Sequence, residues 1–181
     1  GNTLNKATNR ITTIPETVTR IDSEAFRNLK YLKNFTMPEH INEIPTFTNC
    51  ASLENIYCGD NVDRCYYDGI FISCDSVKEF TIPRNMTSWS KEIKDCKNFE
   101  KLTVNENLNT CYDGLVENCP SFKYIVVDPN NTTFDSRDNC NALIETSSNE
   151  LRFGTISTRI PETVTSIGEY AFKGVAFPSI V

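Results

Sequence analysis

Apolar residues recur along this chain at fixed offsets, rung after rung, and not along one continuous stripe. Taking Ile14 as an anchor, the matching residues are Met37, Cys58, Ile82, Val104, Val127 and Ile160, at intervals of 23, 21, 24, 22, 23 and 33 residues. Four residues after the anchors stand Val18, Ile41, Val62, Met86, Leu108 and Val164. Seven after stand Ile21, Ile44, Cys65, Trp89, Cys111 and Ile167. Eleven before the anchors from Met37 to Val127 stand Phe26, Phe47, Phe71, Ile93 and Val116. Steps of three from these give Leu29, Cys50, Cys74, Cys96 and Cys119, then Leu32, Leu53, Val77, Phe99 and Phe122, then Phe35, Ile56, Phe80, Leu102 and Ile125. Length varies only between the position seven after an anchor and the next Phe-type position. Insertions confined to one turn, with every other column in register, mark a solenoid.

Period-2 alternation in Phe35-Thr-Met37 and Phe80-Thr-Ile82 predicts strands with one face buried. The spacing places them at about 32–37, 53–58, 77–82, 99–104 and 122–127. Pro15, Pro38, Pro83 and Pro161 follow anchors and end the strands. Val18-Thr-Arg-Ile21 predicts a second extended segment on the opposite side, and Ser23–Phe26 and Glu169–Phe172 predict single helical turns. One rung buries about six apolar side chains at roughly 1.5–3 kcal/mol each. That does not offset ordering ~23 residues at ~1–2 kcal/mol each, so rungs must stack on one another. The expected fold class is a β-rich α/β solenoid, one parallel strand per repeat of about 23 residues, with short helical turns.

The whole chain, 1–181, reads as a single domain of stacked repeats and as a piece of a longer array. The long interval holds an insertion at 136–154. There Ala142-Leu-Ile-Glu145 and Glu150-Leu-Arg-Phe153 flank Thr-Ser-Ser-Asn149, the pattern of a β-hairpin. Asn2-Thr-Leu4 precedes Ile14 much as Asn149-Glu-Leu151 precedes Ile160, and 175–181 stops where a further strand is due.

Composition narrows the function classes. A net charge of −6 disfavours a nucleic-acid or anionic-lipid partner. No apolar run approaches a membrane span, so no membrane insertion is expected. Asn and Thr, 20 of each, favour turns and strands over helices. His40 is the single histidine, read as a solvated loop residue, and a Ser/Cys–His pair would depend on it. Seven of the eight Cys occupy columns filled elsewhere by Leu, Ile or Val, so they read as small buried hydrophobes. Disulfides between rungs remain open, because strand spacing is close to disulfide Cα spacing. No C-x-x-C motif exists, so neither a metal nor a cofactor is expected. Asp128, Asp135 and Asp138 read as turn residues, since a calcium loop needs a tighter pattern. Asn34, Asn85, Asn130 and Asn131 each open an N-x-Ser/Thr sequence.

The segment Ile160-Pro-Glu-Thr-Val-Thr-Ser-Ile-Gly-Glu-Tyr-Ala-Phe172, its copy beginning at Ile14, and the endings Phe47-Thr-Asn-Cys50 and Phe71-Ile-Ser-Cys74 resemble the BspA-type leucine-rich repeat family. The likeness covers roughly 11–175. It departs at Cys58-Gly59, Trp89, Ile93 and Val116, all fillers of the core. The resemblance implies a right-handed leucine-rich-repeat superhelix. It also implies a cell-surface or secreted protein, although this chain shows no signal peptide, and adhesion to host proteins or other cells.

The expected function is a non-catalytic module for protein–protein interaction or adhesion. Its partner would be a host-matrix or cell-surface protein. The alternative is a carbohydrate-binding or carbohydrate-acting solenoid, with a glycan as ligand. Nothing selects a carboxylate pair for glycoside chemistry. Outward strand positions supply the candidate binding residues Asn34, Asn55, Tyr57, Glu79, Lys101, Tyr124 and Val126. Oligomeric state is not readable.

Overall fold

The computed structural model describes residues 2–11, 13–65, 69–89, 93–112 and 115–175; the closing segment 176–181, where a further strand was expected, lies outside them. The chain winds as a parallel β-solenoid whose rungs contribute to three faces. The strand face carries Asn34–Thr36, Asn55–Tyr57, Glu79–Thr81, Lys101–Val104 and Tyr124–Val127, inside the five predicted spans. A second face carries Val18–Ile21, Glu43–Ile44, Arg64–Cys65, Ser88–Trp89 and Thr110–Cys111.

The third face was not foreseen. Each Phe-type residue opens a two-residue strand: Phe26–Arg27, Phe47–Thr48, Phe71–Ile72, Ile93–Lys94 and Val116–Glu117. These five strands form one continuous parallel sheet. The expected helical turns are therefore corrected. Around Ser23–Phe26 the chain makes isolated turns, Ala25 N–H to Asp22 C=O at 3.0 Å and Arg27 N–H to Glu24 C=O at 3.2 Å, and then becomes strand. Among the described residues the helical content is one 3-10 turn, Arg137–Asn139. A rung of about 23 residues cannot hold a helix of useful length and still present three strands.

Three local devices close each rung. After every anchor but Val104, a backbone turn joins positions one and four, as in Ile41 N–H to Pro38 C=O at 3.1 Å and Met86 N–H to Pro83 C=O at 3.0 Å; after Val104 the Leu108 N–H donates to Asn105 Oδ1 instead. That turn aims the next apolar residue inward. Two residues past each Phe-type position the backbone enters the left-handed region: Asn28 (φ 62), Asn49 (φ 55), Ser73 (φ 54), Asp95 (φ 55), Asn118 (φ 52) and Gly174 (φ 76). Asn, Asp and Gly tolerate this conformation. Ser73 is the exception in the column, and it also breaks a chain of side-chain contacts in which Asn49 Nδ2 donates to Asn28 Oδ1 (3.2 Å) and Asn118 Nδ2 to Asp95 Oδ1 (3.2 Å). Ser73→Asn should raise stability by about 0.5–1 kcal/mol, measured by urea unfolding; an unchanged or lower midpoint would show that αL strain is not limiting there.

The third device uses side chains to reach back one rung. Asn105 Nδ2 donates to Pro83 O (2.5 Å) and Met86 O (3.0 Å). Asn131 Nδ2 donates to Asn105 O (2.8 Å) and Leu108 O (2.9 Å). Asn61 does the same to Pro38 O (3.2 Å) and Ile41 O (2.5 Å). The high asparagine content thus staples successive turns, beyond merely favouring them.

The core is one column-built stack. Phe26, Phe47 and Phe71 follow one another at 4.9 and 6.1 Å between ring centroids. Phe80 meets Phe71 edge-on at 5.4 Å. Cys50, Cys74, Cys96 and Cys119 are buried in the same stack. Their thiols do more than a Leu could: Cys50 Sγ donates to Phe26 O (2.9 Å) and Cys74 Sγ to Phe47 O (3.3 Å). Cys50, Cys74, Cys96 and Cys119 form no disulfide.

Beyond the fifth rung, Ala142–Glu145 and Glu150–Gly154 pair antiparallel as a hairpin. Phe134–Asp135 joins one side, and Ser166–Ile167 joins the other in parallel. Cys140, Ala142, Ile144, Leu151 and Ala171 form a small second core beneath it. Asn2–Leu4 pairs in parallel with Val18–Ile21, as Glu150–Gly154 does with Ser166–Ile167.

Candidate functional site

Strand pleating turns alternate side chains outward. Register then sorts the candidate residues into two rows across the strand face. Asn34 stands beside Asn55 in one row, continued after an interruption by Glu79, Lys101 and Tyr124. Tyr57, beside Thr36, belongs to the other row, continued by Thr81, Thr103 and Val126. Asn55 Nδ2 donates to Asn34 Oδ1 at 2.9 Å, and Lys101 Nζ lies 3.4 Å from Glu79 Oε2. Tyr57 is 54% exposed, and Tyr124 and Val126 are each 43% exposed. The two tyrosines therefore sit in different rows, three rungs apart, and do not form a pair able to sandwich one sugar ring.

The interruption is a property of the fold. On the strand face the sheet divides into a pair, Asn34–Thr36 with Asn55–Tyr57, and a trio beginning at Glu79–Thr81. Among the described residues no backbone hydrogen bond joins Asn55–Tyr57 to Glu79–Thr81. On the second face Glu43–Ile44 pairs with Arg64–Cys65, and Ser88–Trp89 pairs with Thr110–Cys111. The Phe face runs through without a break. At both ends of the strand-face gap the two rungs stay tied, Ser76 Oγ donating to Ala51 O at 2.7 Å and Asn85 Nδ2 to Asp60 O at 2.5 Å. The longest interval before the insertion, 24 residues from Cys58 to Ile82, falls at this level, and Cys58-Gly59 replaces the usual Ile-Pro there.

Two grooves meet at the gap. One, of about 410 Å³, is lined by Ile56, Tyr57, Cys58, Val77, Phe80 and Ile82 among others. The second, of about 710 Å³, runs over Glu54, Asp75, Lys78, Glu79, Glu100 and Lys101 to Tyr124. Reading outward strand positions alone missed Glu54, Asp75, Lys78 and Glu100. These belong to the turn and the residue just before each strand, and the signal was available in the column Lys33, Glu54, Lys78, Glu100 and Lys123.

Other titratable groups are absorbed by structure. Burial pushes the Cys58 thiol up to about 12, so at neutral pH it is protonated and not a nucleophile. Hydrogen bonding to a neighbouring thiol, and then burial, raises Cys74 and Cys96. Burial works to raise Asp135, but hydrogen bonds from Arg137 and its charge outweigh it and hold the carboxyl below the usual range. Arg137 Nε reaches Asp135 Oδ1 at 2.8 Å and its Nη1 reaches Asn149 Oδ1 at 2.9 Å, tying down the hairpin. Asp128 Oδ1 accepts from the Asn130 N–H at 2.8 Å, a turn contact. His40 is exposed in the turn after Pro38. Among the described residues no group of three His, Cys, Asp or Glu side chains is arranged to hold a metal ion, and no helix is long and apolar enough to cross a membrane.

A stack of short parallel rungs with an open, side-chain-rich sheet face defines a leucine-rich-repeat solenoid. The sequence profile of the BspA type leucine rich repeat region matches residues 4–93, 45–144 and 144–181, in six copies. The chain belongs to that family. Its fold is similar to a leucine-rich repeat protein from Eubacterium ventriosum, at 18% identity and a TM-score of 0.66, covering 86% of this chain and 45% of that one. A leucine rich cell surface protein from Faecalibacterium prausnitzii aligns at 23% identity and a TM-score of 0.48, covering 88% of this chain and 38% of that one. The chain thus spans less than half the length of either. No curated protein sequence matches it.

Proposed function

We propose that this chain is a protein-binding module of a surface-displayed or secreted protein, acting in adhesion to host or neighbouring cells without turning over a substrate. Asn34, Asn55, Tyr57, Glu79, Lys101, Tyr124 and Val126 form the contact face. The observation that carries this is the set of exposed Tyr57, Tyr124 and Val126 on a face whose strands are pinned from below by a stacked core. Rigid aromatic anchors surrounded by polar neighbours are how interfaces concentrate affinity. Solenoids use such extended faces for partners, and family membership supports the same class of partner by analogy of fold.

The test is a panel of extracellular-matrix and cell-surface proteins read by biolayer interferometry, run beside a glycan array. Tyr57→Ala and Tyr124→Ala should each weaken the binding found by about 1–2 kcal/mol, with the melting curve nearly unchanged. A partner indifferent to both changes would move the contact to another face. Glycan hydrolysis abolished by one Asp or Glu substitution would replace the non-catalytic reading with the carbohydrate-acting one.

A further inference from the structure

One column of the core places cysteine on four consecutive rungs, at Cys50, Cys74, Cys96 and Cys119. Cys58, Cys65 and Cys111 have no cysteine at the matching position of either neighbouring rung. Ile93 pairs with Val116 and Lys94 with Glu117, so Cys96 and Cys119, at equal offsets from these pairs, stand level on adjacent rungs. A strand spacing of roughly 4.8 Å falls inside the disulfide Cα range of about 4.4–6.8 Å. The side chains lean back one rung: Cys119 Sγ donates to Ile93 O at 3.5 Å, and Cys96 Sγ accepts from the Cys74 N–H at 3.4 Å. The Cys96 and Cys119 thiols are hydrogen-bonded to one another, as are those of Cys50 and Cys74. Access separates the two pairs. Cys50, Cys74 and Cys96 are fully buried, whereas Cys119 is 7% exposed. It lines a cleft of about 20 Å³ with Pro120, Phe122, Phe153 and Gly174. A water-sized molecule needs about 10–15 Å³, so the cleft suits a small peroxide and is far too narrow for a glutathione-sized reagent.

We propose that Cys96 and Cys119 are a peroxide-oxidised dithiol site, closing a reversible disulfide between the fourth and fifth rungs. The hydrogen bond from Cys96, against the opposing effect of burial, holds the Cys119 thiol below its ordinary range; the same bond, and then burial, raises Cys96. Cys119 is therefore the attacking sulfur. Its thiolate takes one oxygen of hydrogen peroxide and the O–O bond breaks. The departing hydroxide collects the proton that Cys119 gave up, leaving a Cys119 sulfenic acid and water. The Cys96 sulfur then attacks the Cys119 sulfur, and its proton leaves with the displaced hydroxyl as a second water. Two thiols lose two electrons in all, and one peroxide becomes two waters. Cys50 and Cys74 share the geometry with both residues fully buried, which makes them an internal reference. The site is independent of the strand face and of whatever partner docks there.

The test exposes the folded chain to excess hydrogen peroxide or, separately, to glutathione disulfide. Each sample is quenched, denatured and blocked with iodoacetamide, and its digest is mapped by mass spectrometry without reductant. Far-UV circular dichroism before quenching checks that the chain stays folded. Peroxide should give a peptide linking Cys96 to Cys119 as the main crosslink, with loss of both free thiols and their return under dithiothreitol. Cys50 and Cys74 should stay reduced, and glutathione disulfide should leave both pairs unchanged. Cys96→Ser should leave Cys119 as a sulfenic acid that dimedone labels, whereas Cys119→Ser should leave Cys96 unlabelled. The wild-type chain decides the matter even if a variant fails to fold. No link between Cys96 and Cys119 in the folded wild-type chain would overturn the proposal. So would equal crosslinking of Cys50 to Cys74, or oxidation by glutathione disulfide as complete as by peroxide. Dimedone on Cys96 in folded Cys119→Ser would overturn Cys119 as the attacking sulfur.

Discussion

Phe71→Ala is expected to lower the unfolding free energy by about 3–5 kcal/mol, read from guanidinium unfolding. Phe71 is 1% exposed, and its ring contacts those of Phe47 and Phe80. Its strand, Phe71–Ile72, also stays paired with Phe47–Thr48 at the level where the strand face is unbonded. Deleting the ring leaves a void in a stack whose neighbours are held by pairing on both sides, so they have little freedom to collapse into it. A loss below about 1 kcal/mol would mean that the neighbouring rungs collapse into the void.

Asn105→Ala should be nearly as severe, at about 3 kcal/mol. Beyond its two donations, Asn105 Oδ1 accepts from the Asn107 and Leu108 N–H groups, both at 2.7 Å. Alanine would strand two donors and two acceptors in a site only 7% exposed. Asn105→Asp keeps the acceptor but turns a carboxylate towards two carbonyl oxygens. The folded-state pKa of that carboxyl would be raised, so stability lost at neutral pH should partly return as the pH falls and the acid regains a donor. Urea midpoints measured at several pH values separate the two variants; a loss from Asn105→Ala of less than about 0.5 kcal/mol would show that solvent replaces the amide.

The sequence disclosed the columns because each apolar position repeats against its copies. That comparison places Phe35, Ile56, Phe80, Leu102 and Ile125 inward, and so Asn34, Tyr57 and Tyr124 outward. It did not disclose what happens between columns. Ser23–Phe26 has the composition of a helical turn, yet Phe26 pairs with Phe47, because stacking with the next rung outweighs a local preference. The column Asn28, Asn49, Ser73, Asp95 and Asn118 was legible as a left-handed position, but attention to apolar residues passed over it. The gap was hinted at by the longer interval and by Cys58-Gly59. Whether two strands bond depends on the exact path of the intervening turns, which residue type alone does not determine.

The strand-face gap has one more consequence. Trp89 is the single tryptophan of the sequence. It is fully buried, lies 5.8 Å from Phe80, and its Nε1 has no hydrogen-bond partner among the described residues. It belongs to the rung bordering the gap. An indole kept from water emits at short wavelength, and it reddens when solvent enters. The chain therefore carries a built-in optical gauge in the rung that borders this gap, readable by intrinsic fluorescence without any label.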